Sequence, residues 1–317
     1  MVTAVATDRA FMEMIGCRLP IQLASLGGSI GTPELAAAVS NAGGLGMIPN
    51  PSSAAEVERG LTTARGLTSR PVGVGFLVPF VSREALDAAA ASADVVEFFY
   101  GDPTADLVRL AGARGAVVGW QVGSAKEAAR AVLAGCDYVV VQGTEAGGHV
   151  RGTQRLDDVL ADSLDAVDVP VVAAGGIGTR ERVAALLASG ASAVRVGTRF
   201  VVAEESNAHP EYIASLIAAT AEDTVVTEAF GVNWPHAPHR VLRTAVTAAE
   251  RIGDGPIAAA GSQKIPRFHS MPPTRQMRGE IAAMALYAGE SVDAVTAVQS
   301  ASDIVSELTA DSLRGTP

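Results

Sequence analysis

The sequence predicts an α/β fold, a (β/α)8 TIM barrel with a smaller, mostly helical second domain. Three observations predict it. Short apolar, β-branched runs alternate with helical stretches as far as Val196, at a spacing of roughly 20 to 30 residues. Eight such runs occur, where an open doubly wound sheet usually has about five or six. Several runs end in glycine-bearing turns, and chemistry collects at the carboxyl ends of barrel strands.

Taken in order, Pro20 to Ala24 is the first strand, followed by a turn at Ser25–Ser29. Thr32 caps a helix through Val39, with Pro33 at its first position, and Gly43-Gly44 ends it. Leu45 to Ile48 is the second strand, and a helix runs from about Ser53 to Arg65, with Glu56 three residues after its serine cap. Pro71–Val78, Asp94–Phe98 and Gly115–Gln121 read as strands three to five, with helices over Ser82–Ala91, Pro103–Ala113 and Ser124–Leu133. Asp137–Gln142 is the sixth strand. A longer excursion carries a helix over Leu156–Ala166, then Val169–Ala174 and Ala193–Val196 flank a helix over Thr179–Ser189. Beyond Phe200 the alternation stops. Helices are expected over Asn207–Glu222, near Leu242–Arg251, and over Gln276–Tyr287 and Ser291–Leu313. Residues 1–222 then form the barrel, completed by helices over about 271–317, and residues 223–270 form a helical or irregular lid.

The chain has 317 residues, 48% hydrophobic and 18% charged, which is ample for one large core. Aromatics are only 4%, so that core rests on Ala, Val, Leu and Ile. A net charge of −10 with scattered basic residues argues against nucleic acid as a partner. Cys17 and Cys136 lie far apart and form no disulfide framework or zinc motif, so a reducing compartment is expected. Met1 to Glu13 lacks the features of a signal peptide and no apolar run approaches a membrane span, so the expectation is a cytoplasmic protein that does not enter membranes.

The segment Val139 to Gly152 is the most informative. An apolar strand ends in a turn with Gly143, Gly147, Gly148 and Gly152, and the turn carries His149. Glycines there let backbone approach a neighbour closely. His149 is open to two readings: a side chain satisfying loop carbonyls, or a base or hydrogen-bond donor near a cofactor. Two further turns, Ala173-Ala174-Gly175-Gly176-Ile177-Gly178 and Val196-Gly197-Thr198-Arg199-Phe200, follow the last two strands, where barrels of this kind grip phosphate with backbone N–H groups. Gln121 and Gln142 end strands five and six, and either amide could hydrogen-bond a flavin's pyrimidine edge. His236 and His239 do not have the spacing of a helical metal pair, and no metal is expected.

On these stretches, together with Ala42-Gly43-Gly44-Leu45-Gly46 and Glu145-Ala146-Gly147-Gly148-His149, nearly the whole chain resembles the nitronate monooxygenase family, formerly called 2-nitropropane dioxygenases, and the related flavin-dependent enoyl-acyl-carrier-protein reductases. Trp234 to Arg243 and Leu286 to Ser291 look like the monooxygenase branch, whereas Glu205 to Pro210 looks like the reductase branch. The resemblance implies FMN, with its phosphate on Gly175, Gly176, Gly197 and Thr198 and its ring near Ala24, Ser25 and Gln121. Gly75, Gln142, Gly147, Gly148 and Ala174 complete the expected cofactor-binding set, and His149 is the catalytic base or donor. Where many relatives carry Gly-Val-Asn at the end of strand three, this chain has Gly73-Val74-Gly75, so that asparagine contact is lost or replaced.

The leading expectation is an FMN-dependent nitronate monooxygenase, taking a small-molecule nitronate and O2 to a carbonyl compound and nitrite. An NAD(P)H-dependent reductase of enoyl thioesters and a non-catalytic flavin-binding module are the alternatives. A homodimer is left open.

Overall fold

The structure, a computed structural model, describes residues 9–310. Residues 1–8 and 311–317 lie outside the described residues, including the start of the Met1–Glu13 stretch and the end of the expected helix Ser291–Leu313.

Eight parallel strands form the barrel: β1 (Ile21–Leu23), β2 (Gly46–Pro49), β3 (Val72–Leu77), β4 (Val95–Phe99), β5 (Val117–Val122), β6 (Tyr138–Gln142), and, after the two-residue strand β7 (Gly148–His149), β8 (Val171–Ala174) and β9 (Ala193–Val196). Their order in the sheet is β1-β9-β8-β6-β5-β4-β3-β2. A parallel bridge between Gln22 and Leu45 brings β1 beside β2, so the sheet closes on itself. The strands are largely apolar on both faces because one face meets the helices and the other fills the barrel, Gln22, Glu97 and Arg195 being buried exceptions. Val139, Val141, Val194 and Val196 pack outward with helix residues such as Leu156 and Leu186.

Local chemistry fixes where the helices begin. Thr32, Ser53, Ser82, Thr104, Ser124 and Thr179 each accept a hydrogen bond from the backbone N–H three residues on. Such a cap contributes about 1 kcal/mol by satisfying an amide that the helix leaves free. Gly43 ends the first barrel helix at φ 109°, a conformation that side chains disfavour. Inside the barrel, Tyr138, Met47 and Phe11 fill the floor, with the Phe11 ring edge-on to Tyr138 at 5.3 Å. Gly119 makes room for this: a methyl there would run into the Tyr138 ring.

The remaining strands are β10 (Thr224–Thr227), β11 (His239–Leu242), β12 (Pro256–Ala260), β13 (Gln263–Pro266) and β14 (Arg278–Gly279). They form two three-stranded sheets, β10-β11-β7 and β13-β12-β14. They share an apolar core with helices Pro210–Ile217 and Arg243–Arg251, through Tyr212, Phe230, Ala245 and Met284.

Several elements differ from expectation. The Gly/Pro-rich stretch from Gly253 to Pro266 is a hairpin, turned at Gly261 with φ 59°. Its strand Pro256–Ala260 is alanine-rich and so carries little of the β-branched signal of a strand. Residues Gln276–Tyr287, expected as helix, hold β14 and one 3-10 turn, Ile281–Ala283. The last expected helix is a 3-10 turn, Glu290–Ala294, followed by helix Ala301–Thr309. That helix packs on Pro33–Ala42 and Arg180–Ala188 on the barrel's outer face. Helix Asn207–Glu222 shortens to Pro210–Ile217, because Pro210 can begin a helix but not continue one. No described helix is long and apolar enough to cross a membrane.

Candidate active site

The carboxyl ends of the barrel strands open into one cavity of about 410 Å³. The size lies in the range of small-molecule sites, roughly 300–1,000 Å³. Every site residue expected from the sequence lines it. Ala24 and Ser25 come from the end of β1, Gly75 from β3, Gln121 from β5, and Gln142 from β6. Gly147, Gly148 and His149 come from the loop after β6, Ala174, Gly175 and Gly176 from the end of β8, and Gly197 and Thr198 from the end of β9.

The glycines divide by what they do. Gly175 (φ 115°) and Gly176 (φ 65°) hold a turn that L side chains rarely adopt. A side chain on Gly176 would also press on Glu145 at 2.9 Å. Thr198 Oγ1 accepts the Gly289 N–H at 3.0 Å, which closes the C-terminal segment over this end of the cavity. In the His149 loop, by contrast, the neighbour approached is mostly the chain itself. Gly143 packs against Leu156, Gly147 against Ala288 and Gly289, and Gly152 against Gly123. Only Gly148 among them has a positive φ, 76°, with open space beside it.

The absent asparagine of strand three has a steric explanation. A methyl on Gly75 would collide with Ser25 Oγ, so the serine occupies the room a side chain there would need. That hydroxyl is buried and finds no hydrogen-bond partner among the described residues. Buried polar groups ordinarily have partners, so an unpaired one on a cavity wall points toward a ligand.

His149 is held from both sides. Its strand β7 pairs antiparallel with β11, placing His149 opposite His239. The Gln142 side chain donates from Nε2 to the His149 carbonyl at 3.0 Å and accepts the Arg151 N–H at 3.3 Å. Both ends of the Gln142 amide therefore serve the loop. Burial, with a contribution from neighbouring His239, pushes the His149 imidazole down from 6.5 to about 3, so it is uncharged at neutral pH. Its Nε2 is buried without a partner among the described residues. The Trp234 indole stacks on the imidazole with ring centres 3.9 Å apart, and Tyr100 meets it edge-on at 5.6 Å. His239 is also lowered by burial; its Nε2 accepts the Phe230 N–H, so its proton sits on Nδ1 toward the Ala237 carbonyl.

Sequence reasoning missed the charged layer below. Arg195 on β9 and Glu97 on β4 line the cavity and pair with each other. Arg195 also donates to Gln121 Oε1, leaving the amide's Nε2 as its remaining polar end. The signal was present: a single charged residue interrupts each of two apolar strands, Val-Val-Glu97-Phe-Phe and Ala-Val-Arg195-Val. Trp234 and Phe80 were missed as cavity residues too, although aromatics are scarce enough in this chain for each to be informative. Among the described residues no His, Cys, Asp and Glu group could hold a metal ion, and Cys136 is a buried thiol whose burial pushes it up to about 12.

The residues present fit a flavin with a terminal phosphate. They offer a glycine turn for an oxyanion, an orphaned hydroxyl, an oriented amide, and an uncharged imidazole lining one cavity. Comparison with known proteins places the chain among flavin-dependent oxidoreductases. A sequence model of the family described as nitronate monooxygenase matches residues 9–92 and 78–311. A Pseudomonas aeruginosa protein named nitronate monooxygenase is 35% identical over 270 residues, 70% of this chain and 76% of its own length. A Rhodococcus jostii protein named (3aS,4S,5R,7aS)-5-hydroxy-7a-methyl-1-oxo-octahydro-1H-indene-4-carboxyl-CoA dehydrogenase is 34% identical over 265 residues, 83% of this chain and 73% of its own length. Among solved structures, FabK from Thermotoga maritima is similar with a TM-score of 0.77 and 28% identity, covering 96% of this chain and 97% of that one. Nitroalkane oxidase from Streptomyces ansochromogenes is similar with a TM-score of 0.75 and 27% identity, covering 96% and 98%. With a TIM barrel, a cavity at its strand ends and matches over most of its length, the chain belongs to the nitronate monooxygenase family of flavin-dependent oxidoreductases.

Proposed function

We propose that the flavin is FMN and that the protein oxidises alkyl nitronates with O2 to a carbonyl compound and nitrite. One observation carries this reading: the cavity that holds the Gly175–Gly176 turn and Thr198 also holds the uncharged imidazole of His149. In this reading Gly175, Gly176, Gly197 and Thr198 hold the phosphate, and Ala24, Ser25, Gly75 and Gln121 border the ring. Bound FMN would supply the electron acceptor and the reaction with oxygen.

The chain's own residues orient the substrate. A neutral imidazole donates one hydrogen bond, here to a nitronate oxygen, and Gln142 fixes the loop from which it does so. An imidazole near 3 is a weak base, so it does not efficiently take the carbon-bound proton of a neutral nitroalkane. Preformed nitronates are therefore the expected substrates, with neutral nitroalkanes turned over far more slowly. Residues 223–270 act as the lid, supported by Asn233, Trp234, His269 and Ser270 on the cavity wall.

A second reading, oxidoreduction of an acyl or enoyl thioester, is favoured by the names of the Rhodococcus relative and of FabK, an enoyl-acyl-carrier-protein reductase. The same His149 N–H would then meet a thioester carbonyl. Anaerobic mixing of FMN-loaded protein separates the two. Bleaching by a nitronate and not by NADH or NADPH supports the first. Prompt bleaching by a reduced nicotinamide, with none by any nitronate, rejects it.

A further inference from the structure

The nitronate reading leaves the charged layer beneath the cavity without a role. Arg195 is 5% exposed and Glu97 2%. Each nitrogen of the guanidinium has a partner: Nε donates to Gln22 Oε1 at 3.3 Å, one Nη to Gln121 Oε1 and the other to Glu97 Oε2. That same Glu97 oxygen accepts from Tyr138 Oη at 2.8 Å and from Gln22 Nε2 at 3.0 Å. A buried ion pair is weak evidence for stability, because apolar residues of similar volume often stabilise a core as well or better. Such residues fill the adjacent floor, where Met47, Val95, Val140 and Val172 sit. The pair differs from that floor in lining the cavity and holding Gln121.

The order of contacts gives the two charges unequal weight. Gln121 bonds the cation directly and meets the anion only through it. Reducing a flavin adds negative charge to its ring, which a nearby cation stabilises and a nearby anion opposes. We infer that Arg195 and Glu97 are positioning residues that set the reduction potential of the bound flavin with opposite signs, relayed by Gln121. The inference rests on the reading that FMN occupies this cavity with Gln121 beside its ring.

The test is the two-electron potential of FMN-loaded protein, measured against a reference dye under anaerobic conditions. Glu97→Gln removes the anion and keeps its shape, so the potential rises. Arg195→Met removes the cation, so it falls. Each shift is at least about 30 mV, a tenfold change in the two-electron equilibrium. Arg195→Lys keeps the charge and stays within that margin of wild type. A merely structural role moves both variants the same way or neither, and either result overturns the inference. Glu97→Gln decides alone should Arg195→Met fail to fold, since a potential that does not rise is then sufficient refutation. The readout needs no substrate. Protein that loads FMN and shows the opposed shifts, yet is not reduced by nitronates, keeps this inference and loses the nitronate reading. Wild-type protein that takes up no FMN removes both.

Discussion

Replacing His149 by Gln isolates what the fold does to one imidazole. Burial, aided by His239, holds the ring near 3 in the folded protein, against 6.5 ordinarily. The folded-state value is depressed, so between those limits the unfolded chain binds a proton that the folded chain refuses. Stability from this group is complete above 6.5 and is lost as pH falls toward 3. From pH 7 to pH 5 the loss is about 2 kcal/mol, since each unit of difference is worth about 1.4 kcal/mol once the unfolded imidazole is charged. The figure barely depends on how far below 5 the folded value lies, because the folded ring is neutral throughout that window. Urea unfolding of FMN-free protein at both pH values, followed by far-UV circular dichroism, supplies the comparison. Wild type should lose about 2 kcal/mol more than His149→Gln on acidification. His239 and His269, lowered by burial in the same direction, remain in both proteins and cancel. Equal losses in the two proteins would mean that the imidazole titrates alike folded and unfolded, and the case for an uncharged donor in the cavity would fall with it.

Three other substitutions probe neighbouring parts of the argument. Gly75→Asn should destabilise by about 1–3 kcal/mol through collision with Ser25, and Ser25→Gly in the same chain should recover most of it; thermal melting of the single and double variants checks this. Gly176→Ala forces a side chain to φ 65° against Glu145, so FMN affinity should fall about tenfold or more, read by ultrafiltration of free flavin. Gln142→Leu removes both hydrogen bonds that fix the His149 loop, about 1 kcal/mol each, and should lower kcat about tenfold or more while FMN titration is unchanged.

The barrel was legible because its signals are local. A β-branched run, a Ser or Thr cap and a glycine stop each act within a few residues, and they repeat. Thr32 with Gly43 shows this at the two ends of one helix, and Ser53 with Glu56 at the start of the next. The glycine turns after β8 and β9 were legible for the same reason. The charged layer was not, because Gln22, Glu97, Tyr138 and Arg195 are separated by 41 to 173 positions and meet only once the barrel closes. Nor was the hairpin Pro256–Pro266 legible, since its alanines are held in strands by pairing partners and not by their own preference. Gly147 was foreseen at the site for an incomplete reason: it gives way to the backbone of Ala288 and Gly289, arriving from far along the chain.

The two halves of the site therefore depend on different parts of the chain. The glycine turns after β8 and β9 and Gln121 sit at the ends of barrel strands whose register is set by neighbouring parallel strands. His149 leaves the barrel after β6, yet its register is set by β11, through the His239 pairing and the Val150 N–H bond to the Pro238 carbonyl. Trp234, stacked on its ring, comes from the segment between β10 and β11. Substitutions in that segment can shift the donor and its aromatic cover without disturbing the turns that would grip the cofactor. Substrate choice can then change while the barrel-end grip is kept. Such a division of labour is compatible with this chain's similarity both to a relative named for nitronates and to one named for a coenzyme A thioester, and to solved structures named FabK and nitroalkane oxidase. The residues that decide this chain's substrate are accordingly to be sought around Trp234 and β11 before the glycine turns.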